Sequence, residues 1–345
     1  MKRVVVNEHL DEMEVHPSGL YRRLVDVSVA SSKELLSQQG RFIEMKCPAC
    51  ASPERELAFE KHGYTYWSCQ VCATLYVSPR PSGPLLDWYL LDSPAAAFRR
   101  GDEYHRAMDR RVKELAGHRA EWVSGLCERV RAEGERPLVD IETRFPTYLE
   151  ELSRRQVGPI VAVKPLCSLP DILTETTVND LTNLKGANAR LVTLFDSLEH
   201  QPIPFDLIVA AHEVLGPGGT LVVTTRSASG FDIQILWEQC TTIFPLEHTN
   251  LLSVEGMRAL LTRAGFEILE MSTPGQLDVQ MIERALQERP DAKVPRFLQY
   301  FFKHRDRFAK RRLQQFLQQN LLSSHLRVVA IKSTVRQHQL ERTIG

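Results

Sequence analysis

The sequence predicts an α/β protein, a mainly parallel sheet with helices on both faces, preceded by a small cysteine-bearing ribbon. Two observations carry this expectation and a third complicates it. From Pro137 onward, short apolar, often β-branched runs alternate with helical stretches, the pattern of parallel strands joined by crossover helices. Ahead of them, two CxxC pairs stand eighteen residues apart. The complication is residues 138–146, LVDIETRFP, where a strand turns toward a helix. A nucleotide-binding α/β domain normally has a glycine-rich loop at this turn, yet there is no glycine between Gly134 and Gly158.

Composition narrows the classes. A chain of 345 residues fits one large domain, or a medium one with a smaller appendage. Its apolar runs are too short to span a bilayer. The N-terminus turns acidic after three valines, unlike a secretory signal or transit peptide, so a cytoplasmic location is expected. Lys plus Arg equals Asp plus Glu, 43 each, which argues against general nucleic-acid binding. Seven cysteines, four of them in two tight pairs, suggest metal binding in a reducing compartment rather than a disulfide framework.

Residues 1–45 read as an irregular lead and one helix, with Ser18 as a candidate cap and Leu20, Leu24, Val25 and Val29 at helical spacing. Residues 46–82 read as the ribbon. Cys47 and Cys50 form one knuckle and Cys69 and Cys72 the other, matching a four-thiolate zinc site; the alternative is four unmetallated buried cysteines. Four protein ligands leave no open position, so zinc here would be structural. His62-Gly63 is placed to turn a hairpin between the knuckles. Cys127, Cys167 and Cys240 are scattered and read as buried hydrophobes.

Residues 83–136 begin with a proline-rich exit and become helical and charged from Ala95 to Arg131. Arg99, Arg100, Arg106, Arg110, Arg111 and Arg119 form either a solvated face or one for an anionic substrate. Residues 137–335 read as the α/β domain: strands at PLVDI, PIVAV, ARLVTLF, TLVVTT, FEILEM and LRVVAIK, with helices between. Pro146 is a candidate first helical residue. PFDLIVAAHEVL is ambiguous, and its length and the following GPGG favour a helix. Ser253 caps a helix that ends at Gly265. The basic helices of 293–320 interleave Lys and Arg with Phe, Leu and Tyr; their apolar stripe is expected to pack on the domain or a second subunit, membrane-surface binding being the alternative. Residues 336–345 read as a frayed tail.

Taken in order, the CPAC and CQVC knuckles, LFDSLEH (194–200), LGPGGTLVVTT (215–225), GFDIQIL (230–236), PLEHTNLLS (245–253), AGFEILEMSTPGQLDV (264–279) and NLLSSHLRVVAIK (320–332) give the chain a family likeness. It resembles class I S-adenosylmethionine-dependent methyltransferases that carry an N-terminal zinc ribbon, a group whose members often act on sugars or nucleotide-sugars. The resemblance implies a Rossmann-like sheet and, after its first strand, a D-x-G-x-G-x-G loop that lets the backbone pass close to the cofactor. Aligned on Asp140, the three glycine positions hold Glu142, Arg144 and Pro146. The acidic residue that binds the ribose hydroxyls in relatives is replaced by Lys164, which has no acceptor to offer. Asp196, Glu199 and His200 match the turn that lines the cofactor and substrate side, and His248 matches a position near the substrate pocket. Glu199, His200 and His248 are therefore candidates for acid–base work on a sugar hydroxyl, weighed against bracing a turn or bonding backbone. No chemistry attaches to Thr224, Thr225 and Arg226.

Three functions follow. One is a methyltransferase, or a close derivative, acting on a sugar or nucleotide-linked substrate. Another is an inactive methyltransferase scaffold that binds a protein partner, with an active paralogue as one candidate; a homo-oligomer is a separate expectation. The third is a pocket repurposed for an anionic nucleotide through Arg144 and Lys164.

Overall fold

The computed structural model describes residues 2–3, 18–129, 136–167, 169, 177–289 and 292–333. The ends of the lead, of the charged helix near Arg131 and of the chain at 336–345 lie outside the described residues. Strand β1 (Lys2–Arg3) is followed by helix α1 (Ser18–Leu35) and strand β2 (Phe42–Ile43). The ribbon strands are β3 (Arg55–Lys61), β4 (Tyr64–Cys69) and β5 (Leu75–Val77), and β6 (Arg80–Pro81) leads out to α2 (Gly83–Leu91), α3 (Pro94–Arg100) and α4 (Asp102–Arg129). The helical stretch read from Ala95 is thus broken at Gly101.

The α/β region runs β7 (Leu138–Ile141), α5 (Thr147–Arg154), β8 (Ile160–Val163), β9 (Thr177–Val178), β10 (Ala189–Phe195), α6 (Pro204–Val214), β11 (Leu215–Arg226), α7 (Phe231–Leu236), β12 (Asn250–Leu251), α8 (Val254–Arg263), β13 (Phe266–Ser272), α9 (Asp278–Glu288), α10 (Arg296–His304), α11 (Arg307–Gln319) and β14 (His325–Lys332). PFDLIVAAHEVL is helical, as its length suggested. Pro146 is the N-cap of α5 rather than its first residue. Its fixed φ suits either position.

Among the described residues, eight strands form one sheet in the order β1-β13-β14-β11-β10-β7-β8-β9. Only β14 is antiparallel to its neighbours, wedged between β11 and β13. Strand order reverses at β7, which lies between β8 and β10, and this reversal makes a crevice at the carboxyl ends of the strands. Alternate side chains divide the two faces. Val139, Ile141, Val192, Leu194, Leu221 and Val223 pack with Ile208 of α6 and Met257 and Leu260 of α8. Leu138, Leu191, Val222 and Val329 face the other way, onto Ala120 and Val123 of α4 and Leu149 and Leu152 of α5. This is the Rossmann-like α/β architecture the sequence predicts.

The ribbon is sewn to this domain. β12, from the α/β region, adds a fourth strand to the ribbon sheet by pairing with β5, a strand too short to be read from the sequence. The two knuckles press on the start of α8: a Cβ at Gly256 would lie 2.0 Å from Thr74 Oγ1. Ser253 caps α8 by accepting from Gly256 N and donates its hydroxyl to the Cys72 carbonyl. Arg263, at the end of the same helix, donates to the Ala49 carbonyl.

Candidate functional site

The four knuckle sulfurs lie within 4.8 Å of one another, with Cys47–Cys72 and Cys50–Cys69 separations of 3.5 Å. A tetrahedron of Zn–S bonds of about 2.3 Å has edges of about 3.8 Å, so the set fits one tetrahedral ion with little movement. Both knuckles have the same backbone. The residue after the second cysteine, Ala51 or Ala73, is left-handed at φ 63 or 56, and its N–H donates to the carbonyl of the first cysteine. His62 and Gly63, both at positive φ, make the hairpin turn between them. Cys127 and Cys240 are buried and Cys167 is half-buried.

At the carboxyl edge of the sheet, three neighbouring parallel strands end in the same way. Glu142 after β7, Lys164 after β8 and Asp196 after β10 have φ of 58, 44 and 55, while each N–H continues the ladder to Val163, Val178 and Thr224. Left-handed backbone costs a non-glycine residue about 1 kcal/mol. At 142 the conformation suited to the family's first glycine persists, but with a side chain on it.

That side chain turns inward. Glu142 is 4% exposed and its Oε2 accepts from His200 Nε2 at 2.9 Å and Gln201 Nε2 at 2.7 Å. Arg144 Nη2 lies 3.2 Å from His200 Nδ1. Arginine can only donate, so Nδ1 accepts and Nε2 carries the proton toward Glu142. Arg144 also faces Glu247, which pairs with Arg99 from α3. Burial opposes the charge on Glu247, but the two guanidiniums outweigh it and hold its carboxyl down at about 2. Burial likewise opposes the charge on Glu142, but His200, the Lys164 charge and the Gln201 hydrogen bond together outweigh it and hold the carboxyl below its ordinary value. Lys164 Nζ donates to Asp87 of α2 at 2.6 Å. The positive charges at 144 and 164 are thus answered by the protein's own carboxylates.

A cavity of about 410 Å³ opens beside this network, over the ends of β7, β10, β11 and the start of β14. Asp140, Arg144, Asp196, Glu199 and His248 line it; Glu142, Lys164 and His200 do not. His200 is 1% exposed. Sequence reasoning passed over much of the lining. Arg119 of α4 pairs with Asp196 and its guanidinium lies 4.8 Å from the Phe195 ring centroid. Arg226 pairs with the buried Asp232 at 2.6 Å. Arg119 stood out only as one of six helix arginines, and nothing in the local sequence tells which of them turns inward.

Two neighbouring carboxyls are pushed in opposite directions. Glu199 is raised to about 8 by burial and by the Asp196 charge, and its Oε2 accepts from Thr225 Oγ1 at 2.7 Å. Asp196 is held below the usual range: burial opposes its charge, but Arg119 and the Thr224 hydroxyl stabilise it. Such a pair gives one proton donor and one fixed anion at neutral pH. Asp140, deep in the strand, is raised to about 6 by burial, against hydrogen bonds from Thr143 and Thr193. His248 is pushed down to about 3 by burial and the Arg226 charge, so its ring is neutral.

The turn that carries Glu199 and His200 is held from the ribbon side. Arg80, fully buried, donates to Asn250 Oδ1 at 2.6 Å and to the Val77 carbonyl at 2.8 Å. Asn250 Nδ2 donates to the carbonyls of Leu198 and Gln201.

Sheet order, the crevice at β7 and the cavity beside it define a methyltransferase-like Rossmann fold. Residues 103–271 match the family described as "Methyltransferase domain". Among solved structures the chain is similar to geranyl diphosphate C-methyltransferase from Streptomyces coelicolor A3(2), at 13% identity, TM-score 0.41, covering 70% of this chain and 88% of that one. It is also similar to an S-adenosylmethionine-dependent methyltransferase from Archaeoglobus fulgidus (13%, TM-score 0.36, 62% and 94%). A third is an S-adenosylmethionine-dependent methyltransferase from Mesorhizobium loti (15%, TM-score 0.35, 61% and 97%). No curated protein matches the sequence significantly. Among the described residues, no helix is long and apolar enough to cross a membrane.

The residues present do not fit the family's way of holding S-adenosylmethionine. At 142 a buried, hydrogen-bonded carboxylate fills the space beside the backbone that glycine would leave clear, and at 164 an ammonium stands where a ribose acceptor is needed.

Proposed function

We propose that this methyltransferase-fold protein works through the cavity over the ends of β7, β10 and β11 and does not hold S-adenosylmethionine in the manner of the methyltransferases it resembles. The observation that carries the reading is the Glu142–His200–Gln201 cluster, built on backbone that still has the glycine conformation. The ligand is a polyhydroxylated, sugar-like small molecule, in keeping with the sugar-modifying methyltransferases that the sequence resembles. Around the cavity are donors (the Arg119 and Arg226 guanidiniums and a protonated Glu199), anionic acceptors at Asp196 and Glu247, and the aromatic side chains of Tyr104 and Phe145. Hydroxyls need both donors and acceptors, and the C–H face of a sugar ring packs on aromatic rings. Glu199 is the candidate proton donor. His200, behind Glu142, positions the loop. The four-cysteine cluster holds a structural zinc ion.

Isothermal titration with S-adenosylmethionine and S-adenosylhomocysteine tests the reading. The native chain is expected to show no binding heat at ligand concentrations of about 1 mM, far above the range of ordinary cofactor affinities. The triple variant Glu142→Gly, Arg144→Gly, Lys164→Glu is expected to gain binding. Micromolar binding by the native chain overturns the proposal and restores the methyltransferase reading.

A further inference from the structure

Helices α10 and α11 concentrate positive charge in a chain whose net charge is zero. Residues 293–320 hold Lys293, Arg296, Lys303, Arg305, Arg307, Lys310, Arg311 and Arg312 against a single acid, Asp306. Both helices are amphipathic and bury one face through Leu298, Phe302 and Leu317. Their other faces are not purely polar. Phe297 is 70% exposed, Tyr300 51%, Phe308 57% and Phe316 53%. Phe297 and Tyr300 are three apart on α10; Phe308, Arg312 and Phe316 are four apart on α11, so each set shares a face. Cations stand directly on these rings: the Arg312 guanidinium lies 4.6 Å from the Phe308 centroid, and that of Arg305 5.2 Å from Tyr300.

We propose that α10 and α11 form a docking surface for an anionic lipid bilayer. Exposed Phe and Tyr enter the boundary between headgroups and acyl chains, while Lys and Arg, with flexible apolar stems, reach the lipid phosphates and carboxylates. Solvated basic helices would keep their aromatic residues on the buried side, whereas here large rings lie among the cations on the exposed side. A nucleic-acid strand calls for a groove that tracks its backbone, and the aromatics here stand on the outward faces of two helices. The surface does not involve the cavity residues, so it stands or falls independently of the ligand assigned to that site.

Co-sedimentation of the full chain with vesicles tests this. Vesicles of phosphatidylcholine with about 30 mol% phosphatidylserine are expected to capture at least about tenfold more protein than phosphatidylcholine alone, with release at about 0.5 M salt. Arg311→Glu with Arg312→Glu is expected to abolish capture. Phe297→Ser with Phe308→Ser keeps every charge and is expected to weaken capture about tenfold, which separates ring insertion from simple charge attraction. These positions are exposed, and an unchanged melting temperature confirms that the variants fold. Failure of the anionic vesicles to capture the native chain at low salt overturns the proposal, as does equal capture by both vesicle types. Binding of a single-stranded oligonucleotide, or a dimer dispersed by the Phe variant, without vesicle binding would assign the surface to those partners and overturn it too.

Discussion

The two halves of the crevice at the carboxyl edge of the sheet are built from the same backbone and end in opposite states. On the β7–β8 side, left-handed residues carry Glu142 and Lys164, which the protein satisfies internally with His200, Gln201 and Asp87. On the β10–β11 side, left-handed Asp196 and its neighbour Glu199 open onto a 410 Å³ cavity. The difference lies in where the partners come from. Glu142 is met by a histidine and a glutamine from the turn directly above it. Asp196 is met by the long side chain of Arg119 from α4, and both residues line the cavity. A strand-end carboxylate thus becomes filler or lining according to the reach of the group that neutralises it.

The ribbon braces one edge of this comparison, and disturbing it has the largest expected effect. Metal analysis of purified protein is expected to give one zinc per chain. Structural zinc contributes on the order of 10 kcal/mol to a small site's folding. Cys69→Ser with Cys72→Ser should therefore unfold the ribbon, and should also loosen the 198–201 turn through Arg80 and Asn250. Hydrogen exchange at Leu198 to Gln201 reads the second effect. Protection there equal to that of the native chain would show the two regions to be uncoupled.

The open half should dominate the pH dependence of stability. Glu199 has an ordinary value of 4.5 and is raised to about 8 in the fold, by burial and by Asp196. Above pH 4.5 the unfolded chain gives up this proton while the folded one keeps it, so the folded state binds more protons and loses stability as pH rises. The loss runs between pH 4.5 and 8 and reaches on the order of 5 kcal/mol at about 1.4 kcal/mol per pH unit. Asp196, shifted down, acts in the opposite sense, and its contribution disappears only in acid. Glu199→Gln is expected to flatten the fall in melting temperature from pH 5 to pH 8; an unchanged profile would mean that Glu199 is ionised in the fold.

Breaking the closed half should cost less. His200→Ala leaves the buried Glu142 with Gln201 as its remaining side-chain partner and is expected to cost about 3 kcal/mol by urea denaturation at pH 7. Glu142→Gly removes the acceptor yet relieves a left-handed residue, so it should be about 1 kcal/mol milder than Glu142→Ala. Equal losses for Gly and Ala would show that the backbone at 142 relaxes.

How much of this could be read beforehand depends on distance along the chain. The knuckles were legible because CxxC places two ligands within one local turn, and His62-Gly63 makes the hairpin the same way. The alternating strands of the α/β domain were legible from β-branched runs. The strand β12 was not, since two residues carry no period, and it pairs with a strand far away in the sequence. At the site, the loss of glycine at 142 was plain, but its meaning was not. That depended on His200, 58 residues on, and on Asp87, 77 residues before Lys164. Arg119 and Glu247 were hidden for the same reason. A charged residue on a helix looks solvated in sequence, and only packing shows which one is turned in.

The smallest expected effect sharpens the contrast between the halves. Lys164 and Asp87 pair at the end of β8, yet their side chains are 35% and 49% exposed. An ion pair that wet contributes about 0 to 1 kcal/mol, because water screens the charges and ordering two side chains costs entropy. Asp87→Ala is therefore expected to change urea stability by less than about 1 kcal/mol, far less than His200→Ala deeper in the same half. Salt gives the control. Raising ionic strength to about 0.5 M should erase the Asp87→Ala difference and leave the His200→Ala difference nearly intact, since a buried pair is little screened. If both differences fell together, Glu142 and His200 would be reached by solvent, and the β7–β8 half would be open after all.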